Sequence, residues 1–161
     1  MQKNEIKIRT MKKDDAQDLR NIWISPEVTK YTLSRPNLTT AQTRKRLMNP
    51  DSESIVALVE NTPVGVARLT KFHGRRNHSG EIVMFISKDF QSKGIGTTLL
   101  NKVIQIAKKK KLKRVQLGVN VDNKKAIGLY KKMGFKIEGK LKKDSQRGNK
   151  LIDNYCMAKL F

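Results

Sequence analysis

A seven-residue run, Gln91-Ser92-Lys93-Gly94-Ile95-Gly96-Thr97, constrains the fold of this chain more than any other feature. The segment before it, residues 81–86, is apolar and has the composition of a buried β-strand. The apolar residues after it recur at the spacing of an amphipathic helix: Leu99, Leu100, Val103, Ile104 and Ala107. The run therefore joins a strand to a helix.

Such a junction is suited to binding a phosphate group. Gly94 and Gly96 let the backbone turn tightly and approach a ligand without a Cβ atom in the way, and the helix start directs free N–H groups toward the ligand. The Walker loop does not fit, because Thr97-Thr98 stands where it needs Lys and then Ser or Thr. The dinucleotide loop does not fit either, because Leu99 replaces its third glycine. A pyrophosphate cradle is indicated, with an ordinary turn as the alternative.

The run resembles the Gln/Arg-x-x-Gly-x-Gly/Ala loop of the GNAT superfamily of acyl-CoA-dependent N-acetyltransferases. A second block, residues 123–135, is similar to the family's Asn-x-x-Ala-x-x-x-Tyr-x-x-x-Gly-Phe segment and follows at the usual distance. Residues 135–139, 147–149 and 153–157 resemble a narrower branch that acetylates amino acids, ribosomal protein N-termini and similar small amines. These motifs lie within residues 54–161.

Apolar periodicity and chain breakers predict the element order β-α-α-β-β-β-α-β-α-β-β. The predicted strands cover residues 5–10, 55–60, 64–72, 80–87, 115–121, 135–141 and 151–160. The predicted helices cover a segment through residues 19–23, capped by Asp14 or Asp15, and residues 39–48, 96–111 and 123–133. Asn61-Thr62-Pro63 is predicted to form the turn of a hairpin. This order is that of the GNAT fold, a central mixed, mostly antiparallel sheet flanked by helices, and one domain over residues 1–161 is expected.

The resemblance implies acetyl-CoA as cosubstrate and assigns residues to its parts. The backbone N–H groups of the loop would hold the pyrophosphate, with the Lys93 ammonium adding positive charge. The residues assigned to this site are Gln91, Ser92, Lys93, Gly94, Ile95, Gly96 and Thr97. Lys124, Lys125 and Lys131 are assigned to the 3'-phosphate.

Two further assignments follow from the same resemblance. Met84, Phe85 and Ile86 would pair their backbone with the pantetheine arm as if it were an added strand, which requires an open strand edge. Asn123 contacts the cosubstrate in the family, and an Asn before a helix is equally a good N-cap. Both roles can hold together.

Aminolysis of a thioester requires a neutral amine, whereas an alkylamine has a pKa near ~10 and is mostly protonated at neutral pH. A base is needed, directly or through water. Many family members place a glutamate on the strand before the Asn motif, where this chain has Gly118. Glu81, near the start of the central strand, is the remaining acidic candidate for catalysis, with a solvated strand-end side chain as the alternative.

The departing CoA thiolate, whose thiol has a pKa of ~8.5, must accept a proton, and a tyrosine hydroxyl of pKa ~10 can donate one. Tyr130 matches the family's tyrosine for this catalytic role beside the cosubstrate. The alternative is a structural role, in which Tyr130 packs beside Gly134-Phe135.

Charge raises a different hypothesis. The chain has 35 Lys and Arg against 14 Asp and Glu, a net charge of +21 that is typical of proteins with polyanionic partners. The run Lys108–Lys111 ends a helix, where cations complement the helix dipole without any partner, and no RNA-binding aromatic signature accompanies the basic runs. Binding to nucleic acid or the ribosome is therefore supported by charge alone.

The remaining composition narrows the class of protein. Cys156 is the single cysteine, which excludes an internal disulfide, and His73 and His78 lie in no cluster with metal-ligand spacing, so no metal is expected. No apolar run approaches the ~18 residues of a membrane span and no signal peptide is recognised, so a cytoplasmic protein without membrane contact is expected. The resemblance also implies a homodimer through the last strands, which include Leu151-Ile152 and residues 157–161.

The combined prediction is an N-acetyltransferase that moves an acetyl group from acetyl-CoA to a primary amine acceptor. The acceptor is an amino acid or similar small molecule, or a protein or peptide, and transfer takes place in a ternary complex. The alternative is a basic nucleic-acid- or ribosome-binding module on an acetyltransferase-like scaffold.

Overall fold

Alternating apolar residues build one seven-stranded sheet in the part of the chain that the computed structural model describes, residues 5–33 and 36–161. The strands are β1 (Ile6–Thr10), β2 (Ser52–Val59), β3 (Thr62–Lys71), β4 (Ser79–Ile86), β5 (Arg114–Asn120), β6 (Lys136–Arg147) and β7 (Lys150–Leu160). The α-helices are α1 (Ala16–Trp23), α2 (Pro26–Thr29), α3 (Thr40–Leu47), α4 (Ile95–Lys109) and α5 (Lys124–Lys132). The strands lie in the order β1-β2-β3-β4-β5-β7-β6.

The sheet buries apolar side chains on both faces because helices cover both. On one face, here called the α4 face, helices α4 and α5 pack on residues such as Leu69, Ile82 and Leu117. On the opposite face, the α1 face, helices α1, α2 and α3 pack on Val66 and Phe85, among others. Successive residues of a strand point to opposite faces, so a residue's register position decides which core it joins.

Strands β4 and β5 are the parallel pair in a sheet whose other neighbours are antiparallel. Their pairing covers three register pairs, from Ser79 with Arg114 to Glu81 with Gln116, and then stops. Beyond that point β4 stays paired with β3 and β5 stays paired with β7. A wedge-shaped gap therefore opens between the two halves of the sheet toward Ile86 and Asn120.

The predicted fold class is confirmed, and the differences are local. The first hairpin turns at Glu60 and Asn61, which have φ of 50° and 63°, so Pro63 lies in β3 opposite Leu58 and the predicted turn at Asn61-Thr62-Pro63 is wrong. A two-residue turn with two positive φ angles matches the twist of the flanking strands. After Ser25, Pro26 does not simply break the chain but opens the short helix α2 at a first-turn position, where its missing N–H costs nothing.

Helix starts follow local hydrogen-bonding chemistry. Thr39 caps α3, since its side chain accepts a hydrogen bond of 3.1 Å from the Gln42 amide. The Asp15 carboxylate makes no cap bond to α1; it accepts from the Lys12 amide at 2.7 Å and from both terminal nitrogens of Arg9. Arg9 therefore ties β1 to the chain that precedes α1.

The closing hairpin is longer than its apolar pattern predicts. Strand β6 continues six residues past the predicted end at Leu141, with irregular pairing between Leu141 and Ser145 and with φ of 54° at Lys143. Its polar residues lack the alternation that marks a half-buried strand, because β6 is largely exposed. Ile137, Leu141 and Leu151 leave apolar area exposed on this hairpin, and the homodimer through it stays a prediction.

Leu100 tests how much stability the packing of α4 contributes. Its side chain is fully buried, so Leu100→Ala removes apolar contacts and leaves a cavity. We expect the free energy of unfolding to fall by about 3 kcal/mol in chemical denaturation. The control, Lys102→Ala, changes an exposed side chain of the same helix and should shift it by less than about 0.5 kcal/mol. Equal effects would contradict the packing described.

Candidate functional site

Helix α4 begins with a row of backbone N–H groups that donate no hydrogen bond within residues 5–33 and 36–161. The row covers residues 92–97. On one side of it, the Gln91 amide donates to the Lys88 carbonyl at 3.2 Å; on the other, the Thr98 amide donates to the Gly94 carbonyl at 3.0 Å. Unpaired amides at a helix start attract an anion, and the helix dipole adds to that attraction.

The conformation of the loop explains how this row is presented. Ser92 and Gly94 have φ of 60° and 84°, in the left-handed region, so the chain turns sharply on both sides of Lys93. Glycine adopts this conformation without strain, whereas Ser92 does so at a cost. A Cβ atom on Gly96 would lie 3.0 Å from Leu129 Cδ2 and 3.3 Å from Ile86 Cδ1, so the absence of a side chain lets α4 approach α5 and β4 closely.

Gln91 precedes this row and holds the loop in place. Its backbone N–H donates to the Lys88 carbonyl, and its side-chain amide donates to the Ile86 carbonyl at 3.1 Å. Of the seven residues predicted for the phosphate site, Gln91 therefore presents no free amide, and Ser92, Lys93, Gly94, Ile95, Gly96 and Thr97 do. The side chain of Gln91 ties the loop to the end of β4.

The edge of β4 that faces the gap is open. The Ser87 amide donates to the Val64 carbonyl at 2.8 Å, and in antiparallel pairs such bonded positions alternate. Phe85 therefore directs its N–H and C=O to β3, whereas Met84 and Ile86 direct theirs to the gap, where the Ile86 carbonyl already accepts from the Gln91 side chain. Of the three residues predicted to pair with an added strand, Met84 and Ile86 have that orientation and Phe85 does not.

Phe85 contributes to the site in another way, because its side chain lies on the α1 face. The ring stacks on the Trp23 ring, with 4.9 Å between centroids and 26° between planes. This contact joins α1 to β4, and such aromatic pairs contribute about 0.5–1.5 kcal/mol beyond the burial of their area. The apolar sequence of β4 did not distinguish a residue with this packing role from its neighbours.

Tyr130 lies on α5 in the core of the α4 face, with its ring 5.9 Å from that of Phe135. Burial raises the pKa of the Tyr130 phenol to about 12, because a phenolate is poorly solvated there. Its hydroxyl makes no hydrogen bond with a described residue. The group is thus a protonated donor at neutral pH.

Asn123 caps the same helix, α5, since its side chain accepts from the Ala126 amide at 3.3 Å.

Glu81 occupies the last paired position of β4, where the gap begins, and alternation places its side chain on the α1 face with that of Phe85. Its charge raises the pKa of the nearby Arg68 guanidinium against the larger effect of burial, which lowers it. Gly118 lies on the same face of β5, two residues beyond Gln116, and a Cβ atom there would meet nothing within 4 Å. The structure therefore leaves open space at Gly118, where the resemblance would place a glutamate.

A polar cluster at the open end of the gap was not foreseen from the sequence. Arg147, at the end of β6, binds Asp122 and Asn120 beside the end of β5. Asn120 also donates to Asn154 of β7, and both amides are buried. The Arg147 guanidinium lowers the pKa of the Asp122 carboxyl. Sequence reasoning noticed Arg147 as a motif residue only, because buried polar partners leave no periodic pattern.

No three or more His, Cys, Asp or Glu side chains among residues 5–33 and 36–161 are grouped so that they could hold a metal ion. None of the helices described there combines the length and apolar character needed to cross a bilayer.

Comparisons with known proteins agree with this geometry. The model of the acetyltransferase (GNAT) family matches residues 16–135. The L-amino acid N-acetyltransferase AaaT of Escherichia coli strain K12 is 31% identical over 160 residues, covering 98% of this chain and 99% of that protein. The crystal structure of a GNAT family acetyltransferase from Streptococcus pneumoniae superposes with a TM-score of 0.85 at 28% identity, covering 98% of this chain and 100% of that one.

A third relative represents the protein-modifying part of the predicted branch. The crystal structure of ribosomal-protein-alanine N-acetyltransferase from Brucella melitensis superposes with a TM-score of 0.80 at 26% identity, covering 96% of this chain and 99% of that one. From the family match, the fold and these relatives, we conclude that the chain belongs to the GNAT acetyltransferase family and is an acetyl-CoA-dependent N-acetyltransferase.

Proposed function

We propose that this enzyme acetylates the primary amine of a small acceptor of the amino acid class, with residues 92–97 as its pyrophosphate site. The observation that carries the proposal is the row of unpartnered amides at the start of α4. The relation to AaaT over nearly the whole of both chains supports an amino acid as acceptor. Membership of an enzyme family favours this function over the nucleic-acid-binding alternative, which charge alone supported.

The residues present fit acetyl-CoA at both ends of the gap. The amides of residues 92–97 offer donors to the pyrophosphate, and the Lys93 ammonium adds charge beside them. Met84 and Ile86 offer backbone groups to the amides of the pantetheine arm, as an edge strand offers them to a further strand. Gly96 keeps this passage narrow by letting α4 lie close to β4.

Acetyl-CoA supplies an activated acyl group. An amine readily attacks the carbonyl carbon of its thioester, and the thiolate is the leaving group. The chain must supply proton transfer. Glu81, at the start of the gap, would take the proton that the acceptor nitrogen loses, directly or through a water molecule. Tyr130, with its pKa raised to about 12, stays protonated and would donate to the departing sulfur.

The balance of the reaction follows from these two roles. A bond forms between the acceptor nitrogen and the acyl carbon, and the bond from that carbon to sulfur breaks. One proton passes from nitrogen to Glu81 and another from Tyr130 to sulfur, so Glu81 must release a proton to solvent and Tyr130 must regain one from solvent before the next turnover. No covalent bond to the protein is needed, and both substrates must be bound together.

Binding of acetyl-CoA should stabilise the protein. At a free concentration of 100 times its dissociation constant, the free energy of unfolding should rise by about 2.7 kcal/mol. For a chain of this size that corresponds to a rise in melting temperature of roughly 5–10 °C. Pantothenate at the same concentration, which lacks the pyrophosphate, is the control. Absence of any shift with acetyl-CoA would refute the proposed site.

Gly94→Ala tests the loop conformation. An alanine at φ of 84° is strained by about 1–2 kcal/mol, and relaxation of the turn moves the amides out of line. We expect acetyl-CoA affinity, measured by calorimetry, to fall about tenfold. Gly128→Ala is the matched control, because its Cβ would lie in open space within α5 and should raise stability by about 1 kcal/mol without affecting affinity. Equal affinities of both variants would contradict the assignment.

Tyr130→Phe tests the acid role. Loss of the hydroxyl should lower kcat about a hundredfold, the usual effect of removing a general acid, while the KM for acetyl-CoA changes little. Steady-state kinetics that follow release of the CoA thiol provide the measurement. Tyr155→Phe, on β7, is the control and should keep kcat near the wild-type value. Unchanged turnover of the Tyr130 variant would exclude the assigned role.

A further inference from the structure

Residues 26–31, here called the crossing segment, comprise α2 and the Lys30-Tyr31 pair after it. Contacts on the two sides of the gap hold this segment on the α1 face. On the β4 side, the Glu27 carboxylate lies 3.4 Å from the Lys88 ammonium, just beyond the end of β4. On the β5 side, the Arg147 Nε–H donates to the Lys30 carbonyl at 2.8 Å. The crossing segment therefore spans the open end of the gap.

While Arg147 donates to Lys30, its guanidinium is also bound by residues at the end of β5. Its terminal nitrogens donate to both Asp122 carboxylate oxygens, at 2.7 and 3.3 Å, and to the Asn120 side-chain oxygen at 3.0 Å. Its guanidinium carbon lies 5.1 Å from the centre of the Tyr31 ring. One side chain thus joins β6, the end of β5 and the crossing segment.

The partners of Arg147 are themselves fixed, which makes the connection rigid. The Asn120 amide donates to the Asn154 side-chain oxygen, and the Asn154 amide donates to Asp144 at 2.6 Å. Asn120 and Asn154 are buried, and their hydrogen bonds are satisfied within this network. A buried network whose hydrogen bonds are all satisfied has one favourable arrangement. It therefore fixes the position of the Arg147 guanidinium relative to the sheet.

The geometry of arginine is required for these contacts. A planar guanidinium with five N–H donors can bind a carboxylate with two parallel bonds, donate through Nε in another direction and stack on an aromatic ring. A lysine ammonium at the same position could keep the charge but not the combination of contacts. The side chain is 27% exposed and Asp122 is 47% exposed, so charge attraction alone would contribute little here.

The two substrates need different entrances to the gap. The free amides start α4, which packs on the α4 face, so that the phosphates of acetyl-CoA are expected at that end. Glu81 and the open space at Gly118 lie on the α1 face. An acceptor amine that must reach Glu81 while acetyl-CoA is bound therefore approaches from the α1 face, where the crossing segment lies.

We propose that Arg147 is a positioning residue that fixes the crossing segment as one wall of the acceptor site, through its bonds to Lys30, Asn120 and Asp122. This inference rests on the proposed function, since it concerns the acceptor of that reaction. The hydrogen bonds of Arg147 go to Lys30, Asn120 and Asp122, and not to Glu81 or Tyr130, to which the proposed function assigns the proton transfers. Its loss should weaken binding of the acceptor and leave binding of acetyl-CoA unchanged.

Arg114 offers a matched control. Its guanidinium binds both oxygens of Glu138 at 2.8 and 2.6 Å, joins the same strands β5 and β6, and is 28% exposed. It lies at the opposite end of β5 from Asn120 and makes no contact with the crossing segment. Arg114→Gln and Arg147→Gln therefore break similar ion pairs. Of the two arginines, Arg147 is the one that contacts the crossing segment.

The kinetic experiment compares Arg147→Gln, Arg147→Lys and Arg114→Gln with wild type, using the common L-amino acid that wild type acetylates fastest. Both Arg147 variants should raise the KM for the amino acid about tenfold, the effect of losing hydrogen bonds to a charged group. The KM for acetyl-CoA and the melting-temperature shift that it causes should stay at wild-type values. Arg114→Gln should leave all three quantities unchanged. An unchanged amino acid KM in Arg147→Gln would overturn the inference.

Hydrogen exchange gives a readout that does not depend on activity. Peptides that cover residues 26–31 should exchange about tenfold faster in Arg147→Gln than in wild type or Arg114→Gln. Equal exchange would overturn the positioning role. If wild type acetylated no amino acid while this difference appeared, the proposed acceptor would fail and the positioning role of Arg147 would stand.

Discussion

The divergence of β4 and β5 after three paired residues is the constraint on which the rest of the structure depends. Two neighbouring parallel strands that separate leave the N–H and C=O of Met84 and the N–H of Ile86 facing a gap instead of a strand. Such groups are costly without partners, so the gap is chemically suited to a ligand that hydrogen-bonds like a strand. The remaining elements either hold the gap open or line it.

The two faces of the sheet present different chemical groups to the gap. On the α4 face, the loop before α4 offers amides to an anion, and Tyr130 holds a protonated phenol in the core. On the α1 face, Glu81 lies at the closed end and the crossing segment at the open end. Under the proposed function, this division would let acetyl-CoA and the acceptor enter from opposite sides and meet in one ternary complex.

Sequence reasoning was reliable where local chemistry decides the structure. The glycines of the loop before α4, the Asn123 cap and the order of the strands depend on neighbouring residues and periodicity, and the structure has them where expected. It was unreliable where partners are distant. Alternation of bonds with β3 turns the Phe85 backbone away from the gap. One local bond was missed as well, because the Gln91 amide donates to the Lys88 carbonyl within its own turn. Neither outcome depends on residue type.

The sequence by itself determined the family, the strand-to-helix loop with its free amides, and the tyrosine within the second motif, since these depend on residue types at short, set spacings. Tertiary structure alone decided which strand edge stays open, that open space lies at Gly118, and that Arg147 joins β6, β5 and the crossing segment. The physical reason is that register and long-range hydrogen bonds join residues far apart in the chain, and no periodic pattern records such partners.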